Sequence, residues 1–461
     1  MQEYRIEYDS LGEKQVPIDA YYGVQTVRAM ENFVISKTPI SSFPSFIKAL
    51  GYIKKACAIA NLEFKILDAK VAEAIIEASE DVIAGKLDDQ FPVDAIQGGA
   101  GTSVNMNANE VIANRALELM GKDRSAYKTV HPNNHVNLSQ STNDVYPSAI
   151  RIAAHWMLDG LLEEVSRFQA ALKEKGVEFN DVVKMGRTQL QDAIPMTLGM
   201  EFTAWSEAIG EDLERLKVAQ GLLNEINMGA TAIGTGLNAP KGYAEVVTAH
   251  LADLTSLPLY ASQNLVKATQ DSGTFIEISG VLKRIAAKVS KICNDLRLLS
   301  SGPRAGINEI NLPPMQPGSS IMPGKVNPVI PEVMNQIAFD VIGNDLSITM
   351  AAEAGQLELN VMEPLIAYKV FTSINHLRRG LATLTDKCIV GITANREHCR
   401  SMVENSIGII TALVPRLGYE LCAQIAKQAL KTNGSVYTIV LEEGHLRKEE
   451  LDEILSPDSM L

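Results

Sequence analysis

The part of this 461-residue chain that is richest in reactive side chains is the segment at 317–328. It carries the adjacent hydroxyls of Ser319 and Ser320, the ammonium of Lys325 and the amide of Asn327, among several glycines and prolines. Glycine and proline at this density predict a mobile, turn-rich loop. The lysine can neutralise a carboxylate and the asparagine can hydrogen-bond to it, while successive loop N–H groups can hold a developing oxyanion. A plain surface loop is the alternative.

A second polar cluster, formed by Ser141, Thr142, Asn143 and Asp144, lies directly before an apolar run that begins at Val145. This pattern predicts the start of a helix. The free N–H groups and the positive dipole end of such a start attract a carboxylate. Capping is the alternative explanation, but capping needs one such residue and this cluster has four.

Two further polar stretches interrupt the helical pattern. In the first, a glycine-rich turn at 98–101 precedes Thr102, after which a helix is predicted to run toward Met120. A tight turn before a helix explains this stretch equally well. The second, Gly186–Asp192, holds Thr188 and Gln189, and taken alone it predicts a surface turn. No Ser-His-Asp order and no G-x-S-x-G motif is present, so hydrolase-type acyl transfer is not indicated.

Composition and charge limit the classes of function. Apolar residues make up 46% of the chain and charged residues 21%, as in soluble globular proteins. The net charge of −13 repels phosphate backbones, so nucleic acid is not an expected partner. The sequence has neither an apolar run long enough to span a membrane nor a signal segment at its start, so no membrane association is expected.

The cysteines and histidines indicate neither a disulfide frame nor a metal site. The five cysteines are scattered and form no C-x-x-C pair, which favours a reducing, cytoplasmic location. His131 and His135 are the only close histidine pair, and no H-E-x-x-H motif is present. No cofactor is therefore expected, although the sequence does not decide whether a divalent cation activates the protein.

Long helices are the elements that must position these stretches. Apolar residues recur at three- and four-residue spacing, which predicts amphipathic helices, over Ala149–Phe179, Glu201–Leu223, Thr274–Leu299, Val333–Ala352 and Leu365–Val390. Helices this long need partner helices to cover their apolar faces, so a helix bundle is expected. Shorter helices are predicted near Ser45–Leu67 and Ala69–Ala84, a strand at Tyr4–Tyr8, and turns at Gly12 and Pro17.

Together, the four polar stretches resemble the signature segments of the aspartase/fumarase superfamily. The segment Gly318–Pro328 matches the superfamily's signature loop almost letter for letter. The resemblance extends over nearly the whole chain, from Leu11-Gly12 to a segment that ends at Ile409.

Within the superfamily, the chain is most similar to the aspartase branch. Fumarases typically carry a second serine at the position of Thr142, and two glycines where Gly229 is followed here by Ala230. Gln189 stands where fumarases have a histidine. Glu332 matches a glutamate that fumarases pair with that histidine, so the role of Glu332 stays open.

The resemblance implies a mainly α fold with a long-helix bundle and three domains. Their expected bounds are 1–142 for an N-terminal, mostly helical domain, 143–398 for the central bundle and 399–461 for a small C-terminal helical domain. It also implies a homotetramer with a twenty-helix core. Each active site would then take residues from three subunits.

The resemblance further implies reversible deamination of L-aspartate to fumarate and ammonia. Ser319 would be the catalytic base. The substrate-binding residues would be Thr102, Ser141, Thr142, Asn143, Thr188, Gln189, Ser320, Lys325 and Asn327. Two alternatives remain: a fumarate hydratase, which shares the base and the product, and a non-enzymatic structural protein on the same scaffold. Lyases acting on argininosuccinate or adenylosuccinate match these segments less well.

Overall fold

The computed structural model describes residues 3–318, 321–455 and 459. Most of this described chain is α-helical, which confirms the mainly α, long-helix fold class. None of the described helices is both long and apolar enough to cross a membrane. The division into three domains stays a prediction.

The helices of the first part of the chain are α1 (Val24–Asn32), α2 (Pro44–Glu63), α3 (Ala69–Ile83) and α4 (Thr102–Leu119). Helices α2 and α3 confirm the two predicted shorter helices, and α4 is the helix expected after the glycine-rich turn at 98–101. Asp68 begins α3 because its carboxylate accepts the N–H groups of Lys70 and Val71, which have no partner inside the helix.

The central part contains the long helices. They and the shorter helices between them are α5 (Thr142–Glu178), α6 (Leu198–Gly221), α7 (Tyr243–Thr255), α8 (Leu265–Gln270), α9 (Gly273–Leu299), α10 (Val329–Glu353) and α11 (Glu363–Lys387). The five long predicted helices are thus confirmed, with ends shifted by a few residues. In α9, the predicted apolar stripe, which includes Ile278, Leu282, Ile285 and Val289, is buried. Each such side chain contributes about 1.5–3 kcal/mol by leaving water.

The C-terminal part is a group of short helices, α12 (Arg396–Asn405), α13 (Ile410–Leu417), α14 (Tyr419–Thr432), α15 (Val436–Glu442) and α16 (Lys448–Ile454). They share an apolar core that includes Leu413, Ile425 and Val440. Turns separate these helices. Gly418, Asn433 and Gly444 all adopt positive φ between or after helices, a conformation that glycine and asparagine tolerate best.

Short two-stranded sheets accompany the helices. Their strands are β1 (Tyr4–Asp9), β2 (Gly12–Pro17), β3 (Val183–Thr188), β4 (Gln191–Thr197), β5 (Glu225–Ile226), β6 (Tyr260–Ala261), β7 (Ile310–Asn311) and β8 (Thr393–Ala394). Pairing is antiparallel except for β5 with β6. The turns predicted at Gly12 and Pro17 lie one residue outside them, at Ser10–Leu11 and Ile18–Asp19, while Gly12 and Pro17 themselves are the two ends of β2 and pair with Asp9 and Tyr4.

The described chain forms two compact units. The first contains residues up to Leu162 together with Glu214–Arg284 and Asp340–Leu377. The second contains Glu163–Leu213, Ile285–Phe339 and the chain from Arg378 onward. The candidate site residues are divided between these two units.

Candidate functional site

The start of α4, in the first unit, carries Thr102. Gly101 precedes it with φ of 89°, a left-handed conformation that glycine adopts without strain. A Cβ atom at this glycine would lie 2.3 Å from the ring of Tyr146 in the first turns of α5. The glycine is therefore required where α5 packs against the turn. Thr102 is exposed, and its Oγ1 donates a hydrogen bond to the carbonyl oxygen of Gly99 at 2.7 Å.

The start of α5 is organised by Asp144. This fully buried carboxylate accepts the backbone N–H of Ser141 at 2.9 Å. It also accepts the N–H groups of Thr231 at 2.9 Å and Gly229 at 3.2 Å. Burial raises the pKa of Asp144 to about 6, and the backbone donors act against this rise. One side chain thus fixes both the polar helix start and the loop at 229–231.

Asn143 faces this same loop with the donor end of its amide. Its Nδ2 donates to the carbonyl oxygen of Ala232 at 2.7 Å, while Nδ2 of Asn227 donates to the Asn143 carbonyl oxygen at 3.0 Å. The side-chain Oδ1 of Asn143 is then the atom that can accept a hydrogen bond from a ligand. An ammonium group is a ligand of the matching type.

Lys54 lies beneath the start of α5 and is fully buried. Its Nζ donates to Asn105 Oδ1 at 2.7 Å and to Gln140 Oε1 at 2.8 Å. Asn105, on α4, in turn donates from Nδ2 to Thr142 Oγ1 at 3.1 Å. Because the Thr142 oxygen accepts this bond, its hydroxyl hydrogen can be donated to a ligand. The polar starts of α4 and α5 are therefore neighbours that share one hydrogen-bond network.

Burial lowers the pKa of Lys54 to about 7. Sequence reasoning missed both this lysine and the organising role of Asp144. The sequence did contain a signal for the lysine, because a charged residue one helical turn after Leu50 falls on the apolar, buried face of α2. No comparable signal existed for the partners of Asp144, which come from a distant loop.

Thr188 and Gln189 lie in the second unit, at the tip of the hairpin formed by β3 and β4. Thr188 is the last residue of β3, so the surface turn predicted within Gly186–Asp192 begins only at Gln189. Gln189 and Leu190 make the turn with φ of 53° and 61°, the conformation of tight two-residue hairpins. All three side chains are exposed, so the threonine hydroxyl is accessible to a ligand.

The signature loop also belongs to the second unit. The predicted base, Ser319, and its neighbour Ser320 lie outside the described residues. On either side of them, the N–H of Gly318 donates to the carbonyl oxygen of Lys325 at 2.8 Å, which closes the base of the loop. A Cβ atom at Gly318 would lie 2.3 Å from that oxygen, so a glycine is needed there. Lys325 is exposed and Asn327 is half-buried.

The predicted site residues that the structure describes thus fall into two groups, one in each unit. Thr102, at the start of α4, and Ser141, Thr142 and Asn143, at the start of α5, lie in the first unit, while the second unit carries the hairpin tip and the signature loop. In the part of the chain that the structure describes, no group of three or more His, Cys, Asp or Glu side chains could hold a metal ion.

Comparisons with known proteins match nearly the whole chain. A family model described as "Lyase" matches residues 12–343, and one described as "Fumarase C C-terminus" matches residues 409–461. Curated proteins named aspartate ammonia-lyase are similar throughout. That of Helicobacter pylori strain 26695 is 55% identical, and the match covers 99% of this chain and 98% of the relative. Those of Pseudomonas aeruginosa and Escherichia coli K12 are 57% and 53% identical over 99% of this chain, covering 97% and 96% of the relatives.

Solved structures agree in fold. A Brucella melitensis protein described as fumarate lyase:delta crystallin bound to cobalt superposes with a TM-score of 0.96 at 52% identity. The class II fumarase of Schistosoma mansoni superposes with a TM-score of 0.94 at 35% identity. Each of these matches covers 99% of both chains.

Proposed function

The chain belongs to the aspartase/fumarase superfamily of lyases, and we propose that it is an aspartate ammonia-lyase, a carbon–nitrogen lyase that converts L-aspartate reversibly to fumarate and ammonia. The observation that carries this proposal is the 53–57% identity to curated aspartate ammonia-lyases over 99% of the chain. The chemistry of the described site supports the same assignment.

The main catalytic demand is to stabilise a carbanion. Removing a proton from the carbon beside the side-chain carboxylate spreads negative charge onto that carboxylate, which becomes a doubly negative enediolate. We assign Thr102, Ser141, Thr142 and Ser320 to this carboxylate as neutral donors. Neutral donors suit the role because their bonds strengthen as charge develops. The free hydroxyl hydrogen of Thr142 supports this assignment.

The remaining groups of the substrate need different partners. Lys325, Asn327 and Thr188 would hold the α-carboxylate, since a cation and two neutral donors match an anion that keeps its charge. Asn143 would accept a hydrogen bond from the amino group, with Thr102 and Gln189 beside it. The fixed amide of Asn143, whose donor end is occupied by Ala232, supports this part of the proposal.

Ser319 would remove the proton. A free serine is too weakly acidic to ionise near neutral pH, so its alkoxide must be stabilised by loop N–H groups and by Lys325 in a site closed to water. Closure of the signature loop over the substrate would provide these conditions. The loop's base, tied by the bond between Gly318 and Lys325, suits such a movement.

A homotetramer is the assembly that fits this proposal, with three subunits contributing to each site. Support comes from a row of exposed apolar side chains along α10. Phe339, Leu346 and Met350 are 63%, 62% and 63% exposed in the single chain and recur at helical spacing. Exposed apolar rows of this kind mark protein–protein contacts, and closed symmetry can bring sequence-distant loops together. The proposed enzyme needs no cofactor, is cytoplasmic and binds neither nucleic acid nor membranes.

Fumarase activity is the alternative that the fold also supports, because the Schistosoma mansoni fumarase is 35% identical. The two activities share their product and differ in the group that leaves. Absorbance of fumarate should rise when the protein is mixed with L-aspartate and stay flat with L-malate. Fumarate formation from malate alone would reject the proposal, and inactivity with both would favour a structural role.

A further inference from the structure

A cluster of four charges, with Lys184 and Glu309 buried and Arg187 and Glu201 partly buried, lies in the second unit at the base of the hairpin that carries Thr188. Glu309 is fully buried, with Oε1 2.6 Å from Arg187 Nη1 and Oε2 2.7 Å from Lys184 Nζ. The same Lys184 Nζ lies 2.8 Å from Glu201 Oε2 in the first turn of α6. Two cations face two carboxylates, so the group is neutral as a whole and each buried charge has a partner.

Lys184 and Arg187 reach the same carboxylate although they are three residues apart on β3. Residues 184 and 187 would point to opposite faces of a regular strand. The pairing register with β4 shifts between Met185 and Arg187, because β4 has one extra residue there and forms a bulge opposite Gly186. Gly186 makes the bulge possible, since a Cβ atom there would lie 2.8 Å from the carbonyl oxygen of Ile194. The local twist at this bulge accompanies the unusual approach of both cations to Glu309.

Glu309 is itself held in place by its backbone. Its N–H donates to the carbonyl oxygen of Leu299 at 2.9 Å, and its carbonyl oxygen accepts the N–H of Asn395 at 2.8 Å. Its carboxylate is thus a fixed point to which Arg187 attaches. Thr188 directly follows that arginine and has an exposed side chain. A shift of Arg187 would move the threonine hydroxyl with it.

We propose that Glu309 is a positioning residue for the substrate, which acts through Arg187, beside the β4 bulge opposite Gly186, to fix the hydroxyl of Thr188. This inference rests on the proposed function, in which Thr188 binds the α-carboxylate of L-aspartate. Glu309 does not touch the substrate in this account. Its contribution is to keep one donor at a fixed distance from the ligand.

A double-mutant cycle tests the inference. In Glu309→Gln, the KM for L-aspartate and the inhibition constant of succinate, an unreactive dicarboxylate, should each rise about tenfold, while kcat stays within about threefold. Thr188→Val should give a similar rise. The double variant should bind no more weakly than Thr188→Val alone, because both changes remove the same contact. Glu309→Asp, which keeps the carboxylate, should recover part of the affinity.

The matched control is Glu201→Gln, which removes the other carboxylate from Lys184 and leaves the pair of Glu309 with Arg187. Its KM should stay within about twofold of wild type. Effects that multiply in the double variant, or a Glu201→Gln defect equal to that of Glu309→Gln, would overturn the inference.

If Glu309→Gln does not give folded protein by circular dichroism, Arg187→Lys replaces it in the same double-mutant cycle. The KM for L-aspartate and the inhibition constant of succinate are measured as before. A wild-type protein that forms no fumarate from L-aspartate would reject the proposed function instead. In that case the double-mutant cycle would be measured as the binding affinity for succinate by calorimetry, and it would still decide the role of Glu309.

Discussion

The polar side chains at the start of α5 differ in whether a donor or an acceptor remains available to a ligand. Thr142 accepts from Asn105 and keeps its hydrogen for a ligand, whereas Asn143 donates to Ala232 and keeps its acceptor oxygen. One residue can therefore donate to a carboxylate while its neighbour accepts from an ammonium. L-aspartate carries both groups, so the local chemistry matches the carboxylate that gains charge and the amino group that leaves in the proposed reaction.

The role of Ser319 as base gives the first prediction. Ser319→Ala should lower kcat by about 10²–10⁴-fold, the usual contribution of a positioned base. The inhibition constant of succinate should change by less than about threefold, because the base is not assigned to binding. Steady-state kinetics with L-aspartate measure both. Ser401→Ala, on the exposed face of α12, is the control expected to behave as wild type. A Ser319→Ala variant with near-normal kcat would exclude this serine as the base.

At the scale of elements, the start of α4 depends on Gly101. Gly101→Ala places a Cβ atom against the ring of Tyr146 and also requires a left-handed alanine. Gly121→Ala, after the end of α4, is matched to it, since Gly121 also has positive φ but no neighbour within 4 Å of a Cβ atom. The first variant should be less stable than the second by about 1–3 kcal/mol, the cost of overpacking. Equal melting temperatures would contradict the close packing of α4 and α5.

The junction of α1 with α4 should depend on pH through Glu110. This buried carboxylate on α4 accepts the N–H groups of Gly23, Gln25 and Thr26 at the start of α1, at 2.8, 2.8 and 3.1 Å. Burial raises its pKa from 4.5 to about 7. The folded protein therefore keeps a proton that the unfolded chain releases, so the stabilisation is full below pH 4.5 and is lost as pH rises through 7.

The corresponding variant is Glu110→Gln, which keeps the shape of the side chain and does not titrate. Between pH 5 and pH 8, wild type should lose on the order of 2–3 kcal/mol of stability relative to this variant. Melting temperatures of both proteins across this range provide the measurement. Parallel pH profiles would show that Glu110 does not titrate in this way.

The sequence predicted those elements whose signal is local. The stripe in α9 and the polar start of α5 follow from spacing along the chain, and both are present. The strand β2 was missed because Gly12 and Pro17 are turn-forming residues, whereas the strand exists through its pairing with β1. The β3–β4 hairpin was predicted as a turn for a similar reason. Strand pairing depends on a partner segment and is not visible in one segment alone.

Sequence reasoning named candidate ligand-facing residues, which stay predictions, and missed the residues whose hydrogen bonds and ion pairs hold these candidates in place. Lys54, Asp144 and Glu309 act through partners far away in sequence, such as Asn105 and Thr231. The chemistry of a loop hydroxyl or a helix start can be inferred from nearby residues. The burial and pairing of a supporting charge depend on the tertiary structure.

At the scale of the whole molecule, the exposed apolar row of α10 should hold the assembly together. Leu346→Asp places a charge in that row, so the variant should form smaller species by light scattering and lose activity together with assembly. Leu430→Asp, which changes a 69% exposed residue on α14 outside the row, should remain assembled and active. A Leu346→Asp variant that keeps both the mass and the activity of wild type would exclude α10 from the interface.

The most direct test of shared sites is complementation between two inactive variants. One variant carries Ser319→Ala, and the other carries Ser141→Ala with Thr142→Val. In the proposed assembly the base and the carboxylate donors of one site come from different chains, so co-expressed variants with separate tags should form mixed assemblies with activity. Equal mixing leaves about a quarter of the sites intact, so the purified mixed species should show about a quarter of wild-type fumarate formation from L-aspartate. Activity no higher than that of the two variants alone would contradict a site built from several chains.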